Sequence, residues 1–388
     1  MRKVLSLTLA LIMLIGLIAA SAGCGKGEEE AYKIGAVFAV TGFNSPLGTP
    51  EKQTAEMLEE QINNAGGIAG HPVDIIIYDT ESDETKCLTA VKRLIEQDKV
   101  LAVIGPTATG ESLAILDTVT QAGIPLISCA ASSTIVEPVG ERHWVFKTPQ
   151  SDKMAVNEIY SYLTDQGITK IALITDSAGF GSTGRGQLIT LASEWGITIV
   201  ADEKFGTQDT DMTSQLTRIS GTAAQAIVCW GTNPGPAVIA KNRVDLGLDL
   251  PLINSHGIAN MKFIELAGDA ANGVIFPSGK LLVAEQLLDS DPQKQVLLQY
   301  KTDFEAKYGE GTTNTFGGHA YDAIMMLTQA IEEAGADSAG IRDALENITG
   351  FAGTGGVFNM SSADHNGLSE GAFVLIEIAD GEWTWLQD

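Results

Sequence analysis

The stretch NAGGIAGHPVDIIIYD, residues 64–79, joins the end of a helix to a strand through a glycine turn. The residues before it, 51–64, carry apolar side chains at helical spacing, and Gly66-Gly67 ends that helix. The residues after the turn, 73–78, form a run of apolar, β-prone side chains. The stretch therefore predicts one helix–turn–strand step of an alternating α/β chain.

The same step repeats on both sides of this stretch. The predicted strands are 33–40, 73–78, 100–104 and 124–127, and the predicted helices between them are 51–64, 84–97 and 112–122. Apolar strands that are separated by amphipathic helices indicate a parallel sheet with helices on both faces.

A second copy of the pattern begins near residue 170. Its predicted strands are 170–175, 197–201, 226–230 and 251–254, and its predicted helices are 184–194, 212–219 and 236–246. Because the period is well over about 100 residues, the repeat predicts two similar lobes rather than a solenoid. The chain length of 388 residues agrees with two domains.

The last part of the chain has a different character. Helices are predicted at 288–308, 319–334 and 339–347, followed by strands at 372–378 and 382–385 around a hairpin turn. Helices that follow the second lobe predict that the chain returns to the first lobe.

The composition excludes some partners. A net charge of −25 repels nucleic acid phosphates and anionic lipid headgroups, so neither is an expected partner. The cysteines at 87, 129 and 229 show neither C-x-x-C spacing nor a Cys/His cluster, so no metal site is predicted.

The N-terminus predicts export. Arg2 and Lys3 precede an apolar run over 4–20 that is short for a membrane span, and residues 1–23 are predicted as a signal peptide. Small residues before Cys24 resemble a bacterial lipobox, which predicts lipidation of Cys24 and anchoring at the outer face of the cell membrane. Residues 24–31 then form a tether.

Cleavage after the segment Ala20-Ser21-Ala22 is the alternative, because this segment fits the A-x-A signal. It would release a soluble periplasmic protein.

The segment GFGSTG, 179–184, satisfies G-x-G-x-x-G between a predicted strand and a helix, and Asp202 follows about 20 residues later. This pattern is typical of dinucleotide sites, so an NAD-dependent enzyme is an alternative function. Against it, Gly179 does not follow the strand directly, the chain is predicted to be exported, and no catalytic His/Asp or Cys/His constellation stands out. We therefore expect no enzyme activity and no cofactor.

Several stretches together resemble the leucine/isoleucine/valine-binding branch of the type I periplasmic solute-binding proteins of ABC transporters. They are KIGAVFAVTG (33–42), EEQINNAGGIAGHPVDIIIYD (59–79), AVIGPTATGESLA (102–114), AGIPLISCAAS (122–132) and INSHGIAN (253–260). The resemblance extends over residues 32–388. It implies a monomer of two doubly wound parallel-sheet lobes, which close on a ligand in the cleft between them and then dock on a membrane permease.

The resemblance also implies three hinge crossovers, which we place near Ser151, Phe276 and Gly355. The first lobe would contain residues 32–150 and 277–354, and the second lobe 151–276 and 355–388.

In this family, the loops after the third and fourth strands hold the carboxylate of the ligand. The matching residues here are Thr109, Ala130 and Ser132. Small residues let backbone N–H groups approach an anion, hydroxyls donate to it, and the start of a helix adds a positive dipole end. The alternative is that these residues only end strands and cap helices.

Further cleft residues are expected from both lobes. Leu47 lies in the loop after the first strand, where it would form part of the cleft rim. In the second lobe, Phe180 would cover the ligand with its ring, and Trp230 and Thr232 follow a strand and would face the cleft. For Trp230, a place in the core is the alternative.

His256 departs from the family pattern, because amino-acid binders commonly have an acidic residue at this place, which pairs with the ligand ammonium. An imidazole cannot replace that carboxylate. Either another acid, Asp176 or Asp202, meets the ammonium, or the ligand is a keto acid, an aromatic acid or another carboxylate without an ammonium.

The expected function is therefore the binding component of an ABC importer, with a branched-chain amino acid or a related small carboxylate as ligand. A ligand-sensing receptor without transport is the other open reading.

Overall fold

The computed structural model describes residues 30–369 and 371–387. The predicted signal peptide and Cys24 lie outside the described residues. Within the described ranges, no helix has the length and the apolar character needed to cross a bilayer.

The first lobe is built on a sheet of five parallel strands in the order β2-β1-β3-β4-β5. The strands are β1 (Tyr32–Phe38), β2 (Val73–Asp79), β3 (Val103–Ile104), β4 (Leu126–Ser128) and β5 (Val145–Lys147). The helices of this lobe are α1 (Ser45–Asn64), α2 (Glu84–Arg93), α3 (Thr109–Ala122) and, from the later chain, α9 (Lys294–Tyr308), α10 (Thr315–Ala334) and α11 (Ser338–Glu346). Hydrophobic clusters cover both faces of the sheet, which is why its strands are continuously apolar.

The second lobe is built on a sheet of seven strands in the order β14-β13-β10-β9-β8-β6-β7. The strands are β6 (Lys170–Asp176), β7 (Thr198–Phe205), β8 (Ala226–Trp230), β9 (Leu252–Asn254), β10 (Ile275–Ser278), β13 (Val374–Ala379) and β14 (Glu382–Trp385). The helices are α4 (Asp152–Asp165), α5 (Gly179–Leu191), α6 (Thr213–Ser220), α7 (Gly235–Asp245) and α8 (Met261–Ala267). The strands from β6 to β10 are parallel, whereas the predicted C-terminal hairpin adds two antiparallel strands at one edge.

The predicted fold class is confirmed: two parallel-sheet α/β lobes face each other across a cleft. The sheet strands β5 and β10, the helices α4 and α8, and a short ribbon of β11 (Phe351–Ala352) and β12 (Val357–Phe358) were not predicted.

The chain passes between the lobes three times. It leaves the first sheet after Lys147 and enters the second lobe at Asp152, the start of α4. It returns between Ser278, the end of β10, and Leu281, which packs in the first-lobe core.

The third crossover was predicted near Gly355, and this placement is wrong. Phe358, Met360 and Leu368 are buried in the first-lobe core, and the chain joins the second-lobe core only at Phe373. The segment 356–368 contains no strand long enough to reveal its sheet from the sequence, because its one strand, β12, has two residues.

Gln150, on the first crossover, contacts the other two. Its Nε2 donates to the carbonyl of Gly355 at 2.6 Å and to that of Ala372 at 3.3 Å. A Cβ atom on Gly279, in the second crossover, would lie 2.8 Å from the same nitrogen. The hinge is therefore one packed unit rather than three independent linkers.

Candidate ligand cleft

A cavity that is partly open to solvent lies between the lobes at the carboxyl ends of their strands. This is where open α/β sheets bind ligands. The lobes touch beside it, where Gln187 Nε2 donates to Ser133 Oγ at 3.3 Å. The structure is therefore a closed form.

The first-lobe wall is centred on the start of α3. Thr109 is 1% exposed and lines the cavity, and its hydroxyl has no hydrogen-bond partner among the described residues. The preceding residue, Ala108, has no side-chain oxygen to cap the helix, although its own N–H donates to Glu111 Oε2 at 3.2 Å. A hydroxyl and a helix N-terminus thus face the cavity together, an arrangement that suits an anion.

The second-lobe wall is centred on the start of α5, which Ala178 precedes without a side-chain cap from the described residues. Gly179 approaches the first lobe so closely that a Cβ atom there would lie 2.7 Å from the amide nitrogen of Gly110. Two helix N-termini therefore meet across the cleft, and the contact requires glycine at 179.

This packing accounts for the whole G-x-G-x-x-G pattern. A Cβ atom on Gly181 would lie 2.1 Å from the carbonyl oxygen of Asp176, and one on Gly184 would lie 2.1 Å from Trp230 Nε1. Asp202, the acidic residue of this pattern, lies inside β7 and forms an ion pair with Arg185 of α5. The dinucleotide reading of this segment is therefore not supported, because helix, strand and lobe packing explain each glycine.

Asp176, at the end of β6, is 2% exposed and lines the cavity. Its Oδ1 accepts from the N–H of Ala178 at 2.5 Å, and the backbone of Thr232 also donates to it. Burial raises the pKa of Asp176 to about 6, while these two bonds lower it. The carboxylate is therefore mainly ionised at neutral pH and available to a cation in the cavity.

The charge of the cavity wall is acidic. Glu84, Glu111 and Asp176 line it, and of its described lining residues none is Lys or Arg. Burial is the main reason that the pKa of Glu111 rises to about 7. This wall suits a cationic group in the cavity.

His256 follows β9 and lies in a box of aromatic rings. The ring centroids of Phe180, Trp230 and Phe373 lie 5.3, 5.8 and 5.4 Å from the centroid of its imidazole. Neither ring nitrogen has a hydrogen-bond partner within the described part of the chain. Burial, with a smaller effect from the charge of Lys147, lowers the pKa of His256 to about 3, so the imidazole is neutral.

Six of the eight sequence-predicted binding residues line the cavity. They are Leu47, Thr109, Ala130, Phe180, Thr232 and His256. The N–H of Ala130, which the resemblance assigned to the ligand carboxylate, donates to Ser128 Oγ at 3.1 Å.

Ser132 and Trp230 do not line the cavity. The Ser132 hydroxyl is buried, caps a short 3₁₀ turn by accepting from the N–H of Thr134, and donates to Asp152 Oδ2 at 3.3 Å. Trp230 is fully buried in the second-lobe core, where it packs against Gly184 and supports Phe180 and His256 from behind.

The start of α10 supplies two cavity residues, Phe316 and His319, that the sequence reading missed. The helix was predicted to begin at His319, but it begins at Thr315, where Asn314 Oδ1 accepts from the N–H groups of Phe316 and Gly317. The only sign of this in the sequence was the pair Gly317-Gly318, which indicates that the start of the helix packs closely against other segments. Cβ atoms there would lie 2.4 Å from the hydroxyl of Tyr300 and 2.6 Å from that of Thr354.

Two α/β lobes, a packed three-segment hinge and a cavity between the lobes are the architecture of a solute-binding protein. The sequence pattern of the periplasmic binding protein family matches residues 31–382, and the chain belongs to that family. Its members are exported proteins that bind solutes and do not act as enzymes.

Known relatives share this architecture. An extracellular ligand-binding receptor from Rhodopseudomonas palustris HaA2 is 27% identical, with a TM-score of 0.87, over 92% of this chain and all of that one. The substrate-binding protein LivJ of a branched-chain amino acid transporter from Streptococcus pneumoniae, solved with isoleucine, is 26% identical, with a TM-score of 0.80, over the same shares. A leucine-, isoleucine-, valine-, threonine- and alanine-binding protein from Pseudomonas aeruginosa is 24% identical over 82% of this chain and 83% of its own length.

Proposed function

We propose that this protein is the extracytoplasmic receptor of an ABC importer, and that it captures an amino acid or a related small carboxylate by closing its two lobes. The observation that carries the proposal is the buried Thr109 hydroxyl, which lacks a partner among the described residues and lies at the start of α3 in a cavity closed by α5. The names of the relatives support an amino acid ligand and a permease partner.

In this proposal, the carboxylate of the ligand binds at the start of α3. It accepts from Thr109 and lies near the positive ends of both helices. The ammonium binds the carboxylate of Asp176, because the neutral imidazole of His256 cannot form an ion pair with it. Asp202 is excluded from this part because Arg185 already pairs with it.

The first lobe binds the ligand in the open form, and closure adds the contacts of the second lobe. Closure also removes water, which strengthens the polar contacts. Lipidation of Cys24 and attachment to the outer face of the membrane remain part of the proposal, as does a monomeric state.

A thermal-shift screen of the purified chain tests the proposal. The panel contains aliphatic, polar and aromatic amino acids, their 2-oxo acids, benzoates and NAD. A ligand at 100 times its dissociation constant stabilises the protein by about 2.7 kcal/mol, which raises the melting temperature visibly. A shift with NAD alone would overturn the proposal.

Uptake measurements separate an importer from a sensor. Deletion of the gene is expected to abolish uptake of the ligand found in the screen, and the wild-type gene is expected to restore it. Normal uptake in the deletion strain would favour a sensing receptor.

A further inference from the structure

The cavity contains two histidines, one from each lobe. His256 follows β9 of the second lobe, and His319 lies in the second turn of α10 in the first lobe. Both line the cavity and both are more than nine-tenths buried, at 7% and 5% exposure. The charge of His256 contributes to lowering the pKa of His319, so the two rings lie near each other in this structure.

Their polar atoms are unused by the protein. Both ring nitrogens of His256, and Nδ1 of His319, have no hydrogen-bond partner among residues 30–369 and 371–387. A buried polar atom without a partner is costly, so a ligand that leaves these atoms bare binds poorly. A purely aliphatic side chain would displace water from them and supply nothing in return.

The surroundings decide which group fits. Burial lowers the pKa of both imidazoles to about 3, so each is neutral and presents one N–H donor and one nitrogen acceptor. Lys147, whose own pKa is lowered to about 7 by burial, contributes to both shifts in its charged form, and this form disfavours an ammonium near the two imidazoles. A second carboxylate is disfavoured as well, because Glu84, Glu111 and Asp176 already line the cavity.

From this juxtaposition we infer that His256 and His319 recognise an uncharged oxygen group, a hydroxyl or a carbonyl, at the end of the ligand away from its carboxylate. A hydroxyl can accept from one imidazole and donate to the other. The inference rests on the proposed function and narrows its ligand class: the preferred ligand is an oxygenated acid rather than the aliphatic leucine, isoleucine or valine for which several relatives are named.

Matched ligand pairs test the inference by isothermal titration of the exported full-length chain. The pairs are threonine with valine, tyrosine with phenylalanine, and 4-hydroxybenzoate with benzoate. Within at least one pair that binds, the hydroxylated member is expected to bind at least about tenfold more tightly. If the two members of every binding pair have equal affinity, the inference is wrong.

Variants assign the preference to the two histidines. His256→Leu and His319→Leu are each expected to reduce the preference to less than about threefold, whereas His256→Gln and His319→Gln, which keep a neutral donor and acceptor, are expected to retain part of it. His143→Leu is the control, because His143 is exposed and lies outside the cavity wall. Circular dichroism of each variant shows whether it is folded.

The outcomes separate this inference from the proposed function. If no acid in the three pairs or in the thermal-shift panel binds, the proposed function fails. If acids bind and the Leu variants keep the full hydroxyl preference, the proposed function stands and the assignment to His256 and His319 is overturned.

Discussion

The two lobes begin their halves of the cleft with the same local structure, a strand end followed by the uncapped start of a helix, but with different side chains. In the first lobe, α3 starts with Thr109, whose hydroxyl is free of partners within the described chain. In the second lobe, α5 starts with Gly179 and Phe180, which supply close contact and a ring but no side-chain donor. In the proposed function, the first lobe anchors the anion and the second lobe closes over it.

The largest expected effect comes from preventing closure. In Gly179→Ala, the new Cβ atom would lie 2.7 Å from the backbone nitrogen of Gly110, which cannot move as a flexible side chain could. Binding should weaken by about 100-fold, because the competent closed state becomes rare. Titration of the ligand found in the thermal-shift screen measures this.

Gly186→Ala is the matched control. Gly186 lies in the same helix, and a Cβ atom there meets none of the described atoms within 4 Å. At this interior position the substitution improves helix propensity by about 1 kcal/mol, so it should not destabilise the fold. Unchanged binding by the Gly179 variant would show that α3 and α5 need not meet for the ligand to bind. The proposed division between a first lobe that anchors the ligand and a second lobe that closes over it would then be wrong.

The next effect tests the anchor. Thr109→Val keeps the shape of the side chain and removes its hydroxyl, so binding should weaken by the value of a hydrogen bond to a charged group, about 1.5–3 kcal/mol. Thr109→Ser should restore most of this loss. Because the Ser132 hydroxyl bonds to Thr134 and Asp152, Ser132→Ala should change binding by less than about 0.5 kcal/mol. Equal losses for Thr109→Val and Ser132→Ala would contradict the assignment.

The sequence predicted the parts of the fold that depend on short-range periodicity. Apolar runs and helical spacing located the first four parallel strands of each lobe but neither β5 nor β10, and the resemblance supplied the cleft. Thr109 and Phe180, which the sequence analysis expected at the ligand, line the cavity because each follows a strand closely along the chain.

The sequence could not show contacts that depend on packing between distant segments. His319 enters the cavity from a helix that returns to the first lobe more than 160 residues after β5. Ser132 matches the family pattern, but Asp152, on the far side of a crossover, accepts its hydrogen bond. Trp230 ends a strand like a cleft residue, yet Gly184 leaves space for its ring inside the core.

A third test examines whether His256 is held neutral in the folded protein, by measuring how the free energy of unfolding depends on pH. The folded pKa of His256 is about 3, below its ordinary value of 6.5, so between these values the unfolded chain binds a proton that the folded chain does not. The free energy of unfolding therefore falls as the pH drops below 6.5. From pH 7 to pH 5, His256 alone should remove about 2 kcal/mol.

Urea unfolding of the ligand-free wild type and of His256→Gln at both pH values measures this contribution. The variant should lose about 2 kcal/mol less than the wild type between pH 7 and pH 5. His143→Gln, at an exposed position, should lose as much as the wild type. A parallel fall in the wild type and in His256→Gln would mean that His256 becomes protonated in the folded protein.

The smallest expected effect concerns Asp176 in the second lobe. It distinguishes amino acids, which carry an ammonium, from 2-oxo acids, which do not. Asp176→Asn should weaken binding of an amino acid by about tenfold, about 1.4 kcal/mol, because the ammonium loses an ionised partner. The matching 2-oxo acid should lose nothing, since it has no ammonium and a nearby negative charge is removed. Leucine with 4-methyl-2-oxopentanoate and tyrosine with 4-hydroxyphenylpyruvate are suitable pairs for titration at pH 7.5, above the pKa of about 6 for Asp176.

Asp202→Asn is the control, because Asp202 pairs with Arg185 outside the cavity wall. If Asp176→Asn weakens amino acids and 2-oxo acids equally, Asp176 supports the wall without meeting the ammonium, and the second lobe closes over the ligand without contributing a charge.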